Sequence, residues 1–189
     1  ALDDEISKEF LRKYMESLDY SRMVFLQSDF DEFSKKYGTL LDNLTKRGNV
    51  SPAFEIHKRY ISRLKTSHSW LEGIINKEFD FNIDETFTPD RTKTNWPKNE
   101  EEARNLWRKR IKYEVLGNRL SKRRSVEALK ASIKGAASIK KSDGTDVKIY
   151  NIKEEKDKIL RRYERFLRVR NEMDSGDVLQ FYLTALSNG

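Results

Sequence analysis

The chain has 189 residues, 37% of them hydrophobic and 37% charged, with 10 Phe, 8 Tyr, 3 Trp, no Cys and a formal net charge of +7. That length buries a core without staples, the aromatic content excludes a disordered chain, and the lack of Cys excludes disulfides, thiolate catalysis and cysteine-ligated zinc. Eight Gly and three Pro are too few for the tight turns of an all-β protein, so the composition points to an all-α fold. No apolar run approaches the ~20 residues of a membrane span. The chain begins at Ala1, which reads as part of a longer protein whose targeting signal, if any, lies upstream.

Taken in order, Ile6, Phe10, Tyr14 and Leu18 recur every four residues, and Leu11 and Met15 widen the stripe. This spacing predicts an amphipathic helix over 4–18, with Asp3 and Asp4 as its cap and first turn. A second helix opens near Ser28 or Asp29 and carries Phe30, Phe33, Tyr37, Leu40 and Leu44 on one face until Gly48 stops it. From Pro52 to about Lys77, Ile61, Leu64, Leu71 and Ile75 keep the same rhythm, with His57 and His68 in register. Residues 79–98 lose the period and hold Pro89, Pro97 and four aromatic residues, which predicts a long irregular connection.

Asn99 with Glu102 forms a capping-box pattern ahead of the stripe Leu106, Trp107, Ile111 and Val115, which Gly117 is expected to end or weaken. Val126, Leu129 and Ile133 suggest a further short helix. The Lys-Lys-Ser-Asp-Gly-Thr stretch is a turn signal, from which residues 140–148 are expected to be mobile. Asn151 with Glu154 caps a helix carrying Ile159, Tyr163, Phe166 and Arg170, and Asp174 or Ser175 opens a last one with Val178, Tyr182 and Leu186. The expectation is a single all-α domain, 1–189, of about six helices.

Charge is uneven along the chain. Residues 104–170 hold 22 Lys and Arg against 8 Asp and Glu, whereas residues 1–103 hold 16 against 20. A basic stretch attracts nucleic acid, anionic lipid or acidic protein. Arg108, Lys109, Arg110 and Lys112 surround Trp107 and Tyr113, a mixture found in single-strand binders. Trp107, however, lies on the apolar stripe, so its ring is expected inside, and nucleic-acid binding is the alternative reading rather than the main one.

Candidates for chemistry are few. His57 and His68 share a helix face, but eleven residues of helix rise roughly 16 Å, and two nitrogens must each lie within about 2 Å of one zinc. Ser-x-x-Lys occurs as Ser62/Lys65 and Ser138/Lys141, and 16 Ser with 21 Lys yield about two such pairs by chance. Glu100, Glu101 and Glu102 complement the start of a helix dipole. No HExxH, EF-hand loop, P-loop, GxSxG or GxGxxG is present. The residues therefore give no catalytic, metal or cofactor site, and no enzyme activity is expected of this chain alone.

The opening Leu2-Asp3-Asp4-Glu5-Ile6-Ser7, then Leu18-Asp19-Tyr20-Ser21-Arg22, Phe25-Leu26, Asp29 and Phe33 resemble the start of tail-specific (C-terminal processing) serine proteases. Asp90-Arg91, Trp96-Pro97-Lys98, Trp107, Arg162-Tyr163 and Asp177-Val178 are similar to that family in order and spacing. Residues 120–158 depart from the pattern, being longer and more basic. The resemblance implies a helical, non-catalytic N-terminal region in a periplasmic enzyme, with a PDZ domain and a catalytic domain bearing a Ser/Lys pair downstream. It further implies a role in enclosing or positioning protein substrates with unfolded C-terminal tails, and a possible surface for an adaptor protein. It carries over no catalytic, cofactor-binding or metal residue.

Overall fold

The structure, a computed structural model, describes residues 2–132 and 151–187, with side chains over 5–128 and 151–187. These residues form α1 (Leu2–Leu18), α2 (Gln27–Tyr37), α3 (Leu41–Lys46), α4 (Ser51–Asn76), α5 (Glu100–Ser132), α6 (Ile152–Asn171) and α7 (Ser175–Ser187), with no strand among them. The all-α expectation holds. The expected mobile segment 140–148 and the pair Ser138/Lys141 lie outside the described residues.

The periodic residues of α1 do what their spacing requires: Phe10, Leu11, Tyr14, Met15 and Leu18 are all buried. Ile6 departs from the expectation at 37% exposed. The covered face starts one residue later, at Ser7, whose hydroxyl donates to Asp42 Oδ1 of α3 at 2.6 Å. α1 packs against α2, α3 and α7, while α4 packs against α5, α6 and α7. One hydrophobic cluster runs through all of them.

The last helix closes on the first. The Tyr182 ring sits 4.7 Å from Phe10 and 5.0 Å, edge-on, from Tyr14, a geometry that the ring quadrupoles favour. Both hydroxyls are satisfied, Tyr182 with Thr45 Oγ1 at 2.9 Å and Tyr14 by donating to the Ala53 carbonyl at 2.9 Å. Burial pushes the Tyr182 phenol up to about 12.

Three boundaries differ from the periodicity. The helix expected to run unbroken to Gly48 stops at Tyr37 and restarts at Leu41. At Gly38 a Cβ would come within 2.4 Å of the Ser34 carbonyl oxygen, so the chain closes more tightly there than a side chain allows. Leu40, in the resulting turn, is 51% exposed instead of buried. Gly117 does not end its helix, and the short helix expected around Val126 is the continuation of α5. Glycine in a helix interior costs about 1 kcal/mol, and packing of α6 offsets it, with Asn118 and Lys122 both reaching Glu155. The caps behave as expected at α6, where Asn151 Oδ1 accepts from the Lys153 and Glu154 amides at 3.2 and 3.3 Å.

Candidate functional site

After Leu18 the chain leaves helical geometry inside the core, and its amide hydrogens need acceptors. Asp19 supplies them. Its carboxylate accepts from the amides of Met23, Val24 and Phe25 at 3.0, 2.9 and 3.0 Å and from Trp96 Nε1 at 3.0 Å. Burial pushes the Asp19 carboxyl above its usual range, and these four donors pull against that rise. Arg22 holds a left-handed backbone, φ 50°, uncommon for a residue with a Cβ. Its guanidinium lies 5.2 Å from the Trp96 ring centre and bonds to Glu16 and the Thr94 carbonyl. The block Leu18–Arg22 and the distant Trp96, two separate parts of the family pattern, are thus one staple.

A second buried carboxylate joins α2 to α4. Asp29 accepts from the Leu26 amide at 2.9 Å, from Arg59 at 2.6 Å and from Arg63 at 2.9 Å. Burial alone would raise the Asp29 carboxyl, but Arg63, the Leu26 amide and Arg59 hold it below the usual range. Asp29 was expected to open a helix, and it also serves as this interhelical anchor.

The basic run on α5 is largely engaged by the protein itself. Arg108 and Lys112 both donate to Glu85 of the long connection, which lowers the Glu85 carboxyl to about 2. Arg110 and Arg162 share Glu114, and Lys109 donates to the Thr86 carbonyl. Trp107 is 5% exposed, and its indole donates to the Met23 carbonyl at 3.1 Å, so it offers no stacking platform.

Other residues singled out in the sequence are placed apart. His57 and His68 are half-buried on α4, each with a buried Nε2 that meets no partner among the described residues. Burial lowers the His57 pKa, and the nearby Arg170 cation adds to the effect. Ser62 and Lys65 are exposed. Glu100 pairs with Arg63, and Glu102 accepts from the Lys98 amide in a cap completed by Asn99. Among the described residues no group of three or more metal-ligating side chains converges.

What remains open is a groove of about 500 Å³ where the end of α1, the turn after it, α4, α5 and α6 meet. Tyr20, Trp107, Tyr163, Phe166, Arg162 and Arg170 line it. A second groove of about 520 Å³ between α1 and α7 shares Ser17 and Tyr20 with the first. Tyr20 is 75% and Phe166 39% exposed, although the helical stripe of α6 places Phe166 on its apolar side. The sequence does signal Tyr20, an aromatic residue just beyond the last buried position of α1, but nothing local signals that Tyr20 and Arg170 share a groove.

The described residues thus form a helical domain whose buried polar groups serve packing and whose open features are grooves. The chain is a member of the tail-specific protease N-terminal domain family, whose model matches residues 1–188. It is 28% identical over 186 residues to the tail-specific protease of Haemophilus influenzae, a match covering 98% of this chain and 23% of that protein. The chain therefore spans less than a quarter of the length of this curated relative.

Proposed function

We propose that the chain is the non-catalytic N-terminal domain of a periplasmic serine endopeptidase, folded as one unit over residues 1–189. Its role is to flank the protease core and to enclose or position substrates. The Ser/Lys catalytic pair and a PDZ domain belong to other parts of the same protein, and the substrates are proteins with unfolded C-terminal tails. The observation that carries this reading is the family match over nearly the whole chain, set against its 23% share of a protein named as a protease. The rigid frame adds support, because a wall or platform needs packed helices with accessible grooves rather than a preorganised polar pocket. An adaptor protein fits the same kind of surface. Nucleic acid does not belong among the partners in this reading, since the aromatic residue amid the basic run is buried and several of its cations are paired.

The test has two arms. The purified chain, incubated with an unfolded protein bearing an apolar C-terminus, is expected to cleave nothing. Reproducible cleavage abolished by a Ser→Ala change in this chain would overturn the assignment. Removing the domain from the intact protease is expected to impair processing of proteins more than of short peptides, because an enclosing surface contributes only to substrates long enough to touch it. Equal processing of both by a folded deletion variant would reassign the domain to folding, localisation or adaptor docking.

A further inference from the structure

The groove beside Tyr20 has a charge imbalance. Three guanidinium groups, those of Arg110, Arg162 and Arg170, line it. Glu114 is shared by the first two and by the Tyr163 hydroxyl. Asp19 also borders the groove, but it is 3% exposed and its oxygens are taken by four inward N–H donors. Arg170 has no carboxylate partner among the described residues. Its guanidinium lies 5.3 Å from the Phe166 ring centre and 5.4 Å from that of Phe181, and the one hydrogen bond it makes among the described residues goes to Met173 Sδ at 3.8 Å.

A cation held between two rings is pre-positioned, and it loses little freedom when an anion arrives. The flanking rings of Tyr20 and Phe166 are exposed, so they gain by being covered with apolar side chains. Glu114 within the groove disfavours a string of phosphates but not a single carboxylate. The shared edge at Ser17 and Tyr20 lets an extended chain continue from this groove into the one between α1 and α7. A chain passing through leaves its ends elsewhere, so the carboxylate must come from a side chain.

We infer that this groove binds an extended segment of a partner polypeptide through an internal Asp or Glu placed on Arg170, with neighbouring aromatic or aliphatic side chains on Tyr20 and Phe166. The inference does not depend on the protease role, because it concerns binding by this chain alone.

The probe is a fluorescent peptide of about ten residues, blocked at both ends, with one central Asp flanked by Phe and Leu. Saturable binding to the chain is expected by anisotropy. Replacing the peptide Asp by Asn should weaken it about tenfold, as expected for loss of one charge-assisted hydrogen bond. Arg170→Met keeps a stem between the two rings and should weaken the Asp peptide by a similar factor while leaving the Asn peptide unchanged. Tyr20→Ser, at a position with little part in the core, should weaken both peptides several-fold. Equal affinity for the Asp and Asn peptides would overturn the inference, as would unchanged binding by Arg170→Met. So would binding only of a peptide whose sole carboxylate is its free C-terminus. Displacement by a single-stranded oligonucleotide with a steep salt dependence would replace the proposed partner with nucleic acid. If Arg170→Met lost its helical circular dichroism, the Asp/Asn comparison on the unaltered chain and the Tyr20→Ser variant would decide.

Discussion

Residues 19–26 and residues 77–99 are both irregular, and both must find partners for backbone groups that no helix serves. The first stretch is short and lies in the core, with Met23, Val24, Phe25 and Leu26 all buried, so Asp19 collects three of these amides and Asp29 the fourth. The second is long and mostly exposed, and its backbone groups are served piecemeal, by Asx turns at Asp80 and Asp90 and by separate side chains such as Lys109 on the Thr86 carbonyl and Glu102 on the Lys98 amide. It touches the body at scattered points, among them Glu85 and the Thr86 carbonyl on α5, the Lys77 carbonyl on Lys156, the Thr94 carbonyl on Arg22, and Trp96 and Pro97 at its end. Burial, rather than irregularity, decides how much a loop depends on a single side chain.

The largest expected effect tests that statement directly. Asp19→Ala leaves three amides and the Trp96 indole without an acceptor in a buried site, and should cost upward of about 4 kcal/mol. Urea denaturation measures it, and a loss under 1 kcal/mol would mean that water reaches the site. Glu85→Ala removes the corresponding anchor of the long connection; Arg108 is then met by solvent but Lys112, 8% exposed, loses its carboxylate in a buried site, so about 2 kcal/mol is expected.

Acid titration separates the two anchors by sign. Glu85 has a depressed pKa, from 4.5 to about 2, so its contribution is present above 4.5 and is lost as pH falls through about 2. The stability gap between the unaltered chain and Glu85→Gln should therefore narrow across that window. Asp19 is shifted upward, so its linkage runs the other way: the contribution is full below 3.8 and declines as pH rises through the folded value. The gap to Asp19→Asn should not narrow on acidification, and parallel behaviour of the two variants would break the contrast.

The smallest effect belongs to the exposed part of the connection. Ile83 is 58% exposed, and Ile83→Asp should change stability by no more than about 0.5 kcal/mol. Limited trypsin digestion sharpens the same point: cleavage after the exposed Lys93 should precede cleavage after Arg22, whose guanidinium is held by Glu16 and Thr94.

Helix periodicity located the core face of α1, α4 and α7, because burying an apolar stripe is a local property repeated every turn. It also identified the caps at Asn99 and Asn151, which act within three residues. It failed at Gly38 and Gly117, where the choice between stopping and continuing depends on packing that a local window does not contain. The groove as an assembly was not legible, since its lining comes from α1, the turn after it, α4, α5 and α6.

The sequence by itself determined an all-α chain with its helical faces, its long connection and, through dispersed residues, its family. Periodicity, composition and motif order are carried along the chain and need no contact to be read. Only the tertiary structure decided that Asp19 and Trp96, 77 residues apart, form one staple. It also decided that Glu85 neutralises part of the basic run and that Arg170 faces an aromatic groove with no carboxylate partner of its own among the described residues. Those outcomes depend on which distant groups are brought within hydrogen-bonding distance and which are kept from water, and both are set by packing rather than by spacing along the chain.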